Sequence, residues 1–192
     1  MAAKPGERKL QILQTLAEML QRPQSEKITT ASLAAKLDVS EAALYRHFAS
    51  KAQMFEGLIE FVEQTLFGLI NRITTDEQNG ARQLEAILSM LLNFAQKNAG
   101  MTRVLIGEAL VNEDERLQAR INQLHDRIEA TLRQSLRIAA SQHEIPADVD
   151  TAAQANLMMS FVIGRWHQFA KSGFKRQPME FWAAQWRGLL AG

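Results

Sequence analysis

ITTASLAAKLDVSEAALYRHFASKAQMF, residues 28–55, is the stretch on which the reading of the whole chain turns. Thr29 or Thr30 can cap a short helix ending near Leu37, because a hydroxyl accepts the free N–H groups of a first turn. Leu33, Ala34 and Leu37 form a narrow apolar stripe on that helix. Asp38-Val39 makes the turn. Ser40 caps a second short helix, and Glu41 suits its positive end. Ser50, with Gln53 three residues on, is a capping-box pattern opening a third, longer helix. The whole is a helix-turn-helix followed by the cap of a long helix.

The middle helix, SEAALYRHF at residues 40–48, has the build of a major-groove probe. Ala43 and Leu44 can face inward with Phe48. Ser40, Glu41, Tyr45, Arg46 and His47 are left outside, and most of these can donate to phosphates or base edges. Lys51 follows where a backbone phosphate would lie. The DNA-facing candidates are therefore Thr29, Thr30, Ser40, Glu41, Ala42, Tyr45, Arg46, His47 and Lys51. The plainer alternative is an ordinary pair of packed helices.

Working outward, LAAKLDVSEAALYRHFASKAQMFEGLI (residues 33–59) resembles the DNA-binding domain of TetR-family regulators. Within that family, residues 28–51 with FEGLIEFVEQTL (55–66) are most similar to the SlmA group of nucleoid occlusion factors. The similarity continues through NAGMTR (98–103) and RLQARINQL (116–124), then fades after about Arg137. Two departures stand out. Asp38 occupies the turn position where the family usually has Gly, and Asp tolerates left-handed backbone better than most residues. Ala49 replaces the family's usual Pro, a loss of rigidity rather than of chemistry.

The resemblance implies an all-α fold with about nine helices, as the periodicity also does. Residues 1–50 would be the three-helix DNA-binding domain, and residues 51–192 a helical body for dimerisation and for a partner or ligand. It further implies a homodimer on a palindromic duplex site, with the tubulin-like division protein FtsZ as a second partner held beside the fourth helix. Phe61 matches the pattern of that partner site. Leu69 stands where a basic residue is expected, and Arg72 is near enough to compensate. Lys97 and Asn98 complete the candidate partner face, although an ordinary polar helix terminus explains them as well.

Composition narrows the class. Hydrophobic residues make up 46% of the 192, with one Tyr, four Pro and no Cys, which favours a packed helical protein without disulfides or thiol chemistry. No apolar run is long enough to span a bilayer, and the polar first nine residues do not read as a signal peptide. The expectation is a cytoplasmic, nucleoid-associated protein. Net charge is +1, but residues 1–53 carry eight Lys/Arg against five Asp/Glu, leaving −2 on the remainder. That asymmetry suits a DNA-facing end on a larger neutral body.

The rest of the chain reads as helices. Residues 1–6 are a loose arm in which Lys4, with Arg8 and Lys9, can touch DNA backbone. The first helix spans residues 7–21, places Leu10, Leu13, Leu16, Ala17 and Leu20 inward, and stops at Pro23. The fourth covers 51–73 with Phe55, Leu58, Ile59, Val62, Leu66, Leu69, Ile70 and Ile73 on one face. Phe61 and Phe67 lie off that face, either as a second packing surface or as an anchor for a partner. A polar linker at 74–80 precedes a fifth helix (81–98) and a sixth (101–111). A seventh spans 114–140, with Asp126, Glu129 and Arg133 in solvent. The run Glu113-Asp114-Glu115 is read as its solvated start. The eighth helix, 151–171, ends at Gly173, and a ninth follows Pro178. All three Trp and four of the nine Phe lie after residue 160. They suit either a monomer's core or a dimer seam, and the dimer is favoured because paired reading helices need a two-fold partner.

No catalytic constellation is visible. The four His show no metal-ligand spacing among themselves, His125 with Glu129 is a weak pair, and His167 suits packing or a pocket wall. No phosphate loop, nucleophile elbow or acid pair appears. The chain is therefore read as a non-enzyme without cofactor or metal. Three functions are weighed, the first two being a nucleoid occlusion factor and a ligand-responsive TetR-like repressor with an effector pocket. A helical interaction protein with no DNA role is the third.

Overall fold

The computed structural model of the chain describes residues 5–21 and 28–191. The arm with Lys4 and the helix stop at Pro23 lie outside the described residues. Within them the chain is all-helical: α1 (Pro5–Met19), α2 (Thr30–Lys36), α3 (Glu41–Tyr45), α4 (Lys51–Asp76), α5 (Gly80–Lys97), α6 (Ala99–Leu105), a 3₁₀ turn (Glu108–Leu110), α7 (Glu115–Ser141), α8 (Thr151–Lys171) and α9 (Trp182–Ala191). Backbone packing divides the chain into two compact units. The first comprises residues 1–62 and 99–121, and the second 63–98 and 122–192.

The first unit is built on caps and a small apolar core. Thr29 caps α2 with a complete capping box: its hydroxyl accepts the Ser32 N–H, and the Ser32 hydroxyl accepts the Thr29 N–H. The turn to α3 is a Schellman closure. Asp38 takes φ 53°, its N–H bonds Ala35 O, and the Val39 N–H reaches back to Ala34 O at 3.0 Å. Ser40 then caps α3 through the Ala43 N–H. Ser50 caps α4 through the Gln53 N–H, but Gln53 accepts from the Ala49 N–H rather than from Ser50, one residue earlier than a standard box. Ile12, Leu16, Leu20, Leu33, Leu44, Phe48, Phe55 and Leu58 are buried in this unit. The periodicity of α1 misplaced one residue: Ile12 is in the core and Leu10 is 46% exposed. Leu37 and Ala43 are half-buried rather than central.

α6 locks onto α1 within the same unit. A Cβ on Gly100 would lie 2.0 Å from Ala17 O, so only glycine permits this approach. Arg103 donates to Leu20 O, a carbonyl at the α1 C-terminus, and pairs with Glu108 at 3.0 Å.

The second unit packs the dense stripes of α5, α7 and α8. Leu84, Ile87, Leu88, Leu91, Leu92, Leu124, Ile128, Leu132 and Leu136 are buried with Met158, Val162, Trp166 and Phe169. Trp166 donates its indole N–H to Leu91 O. The buried Ser135 hydroxyl donates to Gln83 Oε1 at 2.8 Å. Arg165 is buried too, and it donates to the carbonyls of Gln177, Pro178 and Glu180, pinning the α8–α9 link. Helix boundaries also moved. α4 runs on to Asp76 and absorbs the first three residues of the expected linker, and the expected sixth helix is α6 followed by the 3₁₀ turn.

Candidate nucleic-acid interface

The caps and core of the first unit decide which side chains of α3 face out. Leu44 and Phe48 are buried, so the intervening residues turn to solvent. Tyr45 is 45% exposed, Arg46 is exposed and His47 is half-buried. Ser40, Glu41 and Ala42 are exposed at the helix start. Glu41 does more than favour the helix dipole: its carboxylate accepts the Thr30 hydroxyl at 2.6 Å and ties the starts of α2 and α3 together. Thr29, Thr30, Tyr45 and Lys51 line one open depression with Ile28 and Glu113, about 320 Å³ in volume. The structure therefore gathers four of the nine candidates at one spot and lays the others along the adjoining helix.

Lys51 is the exception to the expected picture. Its ammonium is paired with Glu113 and lies over the Phe55 ring, 5.6 Å from the centroid. Both partners are largely shielded, with side chains 22% and 13% exposed. Glu113 is thus no solvated helix start. The local reading of Glu113-Asp114-Glu115 failed because the partner is 62 residues away in sequence. Asp114 does cap α7: it accepts the Arg116 N–H and the Arg116 guanidinium. The guanidinium hydrogen bonds lead in holding the Asp114 carboxyl down to about 2, and Arg116 is raised in turn.

The arm-side cations are engaged locally. Arg8 donates to Gln11 at 2.6 Å, and Lys9 lies over the Phe48 ring at 5.6 Å.

The candidate partner residues fall in both units. Phe61 is 41% exposed on α4 in the first. Leu69, read as part of the buried stripe, is 40% exposed on α4 in the second, so its place is on the surface. Arg72 pairs loosely with Asp76 at 3.6 Å. Lys97 is exposed in the last turn of α5, while Asn98 closes that helix, donating to Phe94 O at 2.8 Å. Phe67 is half-buried, with the Arg127 guanidinium 3.9 Å from its ring centre. Glu129, expected in solvent, is half-buried and accepts from Asn156. His125 lies beside Trp166, ring centres 5.9 Å apart, rather than forming a metal pair with Glu129. Among the described residues no cluster of three His, Asp or Glu has the geometry to hold a metal, and no helix is long and apolar enough to cross a membrane.

Comparison with known proteins agrees with this architecture. Residues 12–58 match the bacterial regulatory proteins of the TetR family, and residues 78–191 match the SlmA-like group of tetracycline-repressor-like C-terminal domains. The chain is 50% identical over 187 residues to the nucleoid occlusion factor SlmA of Idiomarina loihiensis, covering 97% of this chain and 95% of that one. It is 47% identical over 189 residues to SlmA of Marinomonas sp. (strain MWYL1), covering 98% and 96%. Among solved structures, a TetR-family regulator from Agrobacterium tumefaciens superposes with a TM-score of 0.80 at 16% identity, covering 97% of each chain. The TetR-family regulator PfmR of Thermus thermophilus superposes at 0.78 and 22% identity, covering 93% of this chain and 96% of that one. Those identities speak for the fold alone. The identities above them, spread over nearly the full length, place this chain in the TetR family and, within it, among the SlmA-type nucleoid occlusion factors.

Proposed function

We propose that the chain works as a homodimer that lays its two α3 helices into a palindromic duplex and, while bound there, restrains FtsZ polymers near the nucleoid. The observation that carries the DNA half is the surface of α3. Leu44 and Phe48 anchor the helix while Ser40, Glu41, Ala42, Tyr45 and Arg46 face solvent, with His47 at the rim. Thr29, Thr30 and Lys51 flank it as groups for backbone phosphates.

The dimer half is supported by the exposed surface of α8 and by Phe181, which is 65% exposed just before α9. Trp166, Phe169 and Trp186 are spent in the core of their own chain. Along one line of α8, Ala153, Leu157, Ser160 and Gly164 are exposed at helical spacing. Leu157 is 50% exposed, and nothing lies within 4 Å of a Cβ built on Gly164 or, on α9, on Gly188. Small side chains let a second pair of helices approach closely.

The FtsZ half rests on family membership, with Leu69, Arg72 and Lys97 as exposed groups of suitable kind in the second unit and Phe61 exposed in the first. An apolar residue one helical turn from a cation, as Leu69 is from Arg72 on α4, suits an acidic, partly apolar peptide. Co-sedimentation of FtsZ polymers with the full chain, with and without a duplex it selects, tests this reading. DNA-dependent loss of pelleted polymer is expected. Unchanged polymers, together with release from DNA by a small molecule, would favour a ligand-responsive repressor instead. The proposed place of work is the cytoplasm, on the chromosome.

A further inference from the structure

We propose that Glu113 is a built-in competitor for the DNA phosphate at Lys51, so that the chain binds duplex by exchanging one anion for another. The proposal rests on the DNA-binding reading above. Lys51 is the cation at the start of α4, in the depression also lined by Thr29, Thr30 and Tyr45. Its ammonium is already held by the Glu113 carboxylate, which comes from a distant stretch of the same unit.

That stretch is shaped to deliver the carboxylate. Gly107 turns left-handed at φ 76° where a Cβ would strike the Gln118 side-chain oxygen at 2.2 Å, and Asn112 takes φ 65° immediately before Glu113. The Glu113 N–H closes onto Leu110 O at 3.0 Å. The neighbouring acids are placed differently, since Asp114 is occupied by Arg116 and Glu115 is exposed. Glu113 alone of the three is turned into the depression.

The consequence is electrostatic. Released from Glu113, the Lys51 ammonium keeps the Phe55 ring face beneath it and can take a phosphate oxygen. The freed carboxylate then sits near the DNA, where it repels the phosphate and gathers a cation. That uptake offsets the counterion release which normally accompanies a Lys–phosphate contact. Glu113 therefore lowers affinity for every duplex, cognate or not, and mutes the salt dependence, because it acts on a backbone contact.

The experiment uses the full chain and two fluorescent duplexes, one selected by the chain from a randomised library and one of scrambled sequence. Glu113→Gln keeps the shape and removes the charge. It is expected to bind both duplexes about two- to fivefold tighter, the range for one partly shielded ion pair. The slope of log affinity against log salt is expected to steepen by up to about one unit. In a Lys51→Met background the same change is expected to do nothing, and Glu115→Gln, an equal change of net charge, is expected to have the smaller effect. Thermal unfolding of each variant verifies that the fold survives. Weaker or unchanged binding by Glu113→Gln would overturn the proposal, because Glu113 would then merely position Lys51. Equal tightening with Lys51 absent, or by Glu115→Gln, would overturn it as well, since the effect would be one of net charge. Failure of the unaltered chain to select any duplex would instead remove the DNA reading itself.

Discussion

Asp38 holds the turn between α2 and α3 in a left-handed conformation, φ 53°, at a position where glycine is the unstrained choice. Asp38→Gly is expected to leave stability unchanged or slightly raised, and Asp38→Ala to lose about 1 kcal/mol in denaturant unfolding. This site was legible because residue type and turn position speak locally. On the proposed DNA face, Tyr45→Ala or His47→Ala should weaken cognate binding by about 1–3 kcal/mol where a base contact is lost, and non-cognate binding far less. Equal losses on both duplexes would reassign these residues to the backbone. Asp114 gives a pH signature. Its folded carboxyl titrates at about 2 rather than 3.8, mainly through the Arg116 guanidinium bonds. A lowered folded pKa means stability that is in place above the ordinary carboxylate range and fades as pH falls towards the folded value. The melting-temperature advantage of the unaltered chain over Asp114→Asn should therefore shrink between pH 3.8 and about 2. A constant difference across that window would show that the Arg116 bonds do not depend on the charge. The Lys51–Glu113 pair was beyond sequence reading for the opposite reason to Asp38: its partners are 62 residues apart, and neither carries a local mark of the other.

Helix ends show the same contrast one level up. α8 closes with Gly173 left-handed, the Phe174 N–H bonding Phe169 O and the two rings meeting edge to face at 5.1 Å. Glycine announces that stop in the sequence. α7 ends in the same geometry, but with His143 at φ 59°, which no composition rule singles out. The segment after it then reaches across. Gln142 and Glu144 accept the Gly80 and Ala81 N–H groups, satisfying the start of α5 from another element. Periodicity found every long helix, since a buried stripe repeats along the chain. It misjudged Leu10 and Leu69 because an apolar residue near the rim of a stripe fits either side. Close approach of backbones was equally invisible before the fold was known. A Cβ on Gly80 would lie 2.3 Å from Ala139 N, and one on Gly100 would lie 2.0 Å from Ala17 O. Gly80→Ala and Gly100→Ala are each expected to cost about 1–3 kcal/mol by forcing packed backbone apart. Gly68→Ala, in mid-helix with open space around it, should stabilise by about 0.5–1 kcal/mol in the same urea titration.

For the molecule as a whole, the family was readable from residues 28–66, with 98–103 and 116–124 adding the narrower resemblance. Of the late aromatics, Trp166, Phe169 and Trp186 are buried while Phe181 is 65% exposed, and on α8 Leu157 lies open among small residues that look featureless in sequence. Leu157→Arg places a charge on that surface without entering the core. It is expected to shift the chain to a monomer in sedimentation analysis and to reduce cognate affinity by about a hundredfold or more, since paired heads bind far better than one. Two heads sharing one duplex is the central claim, and selection from a randomised library by the full chain tests it most directly. Enrichment of inverted half-sites with two chains bound per duplex is the predicted result. A single unpaired half-site, one chain per duplex, or no enrichment would contradict it.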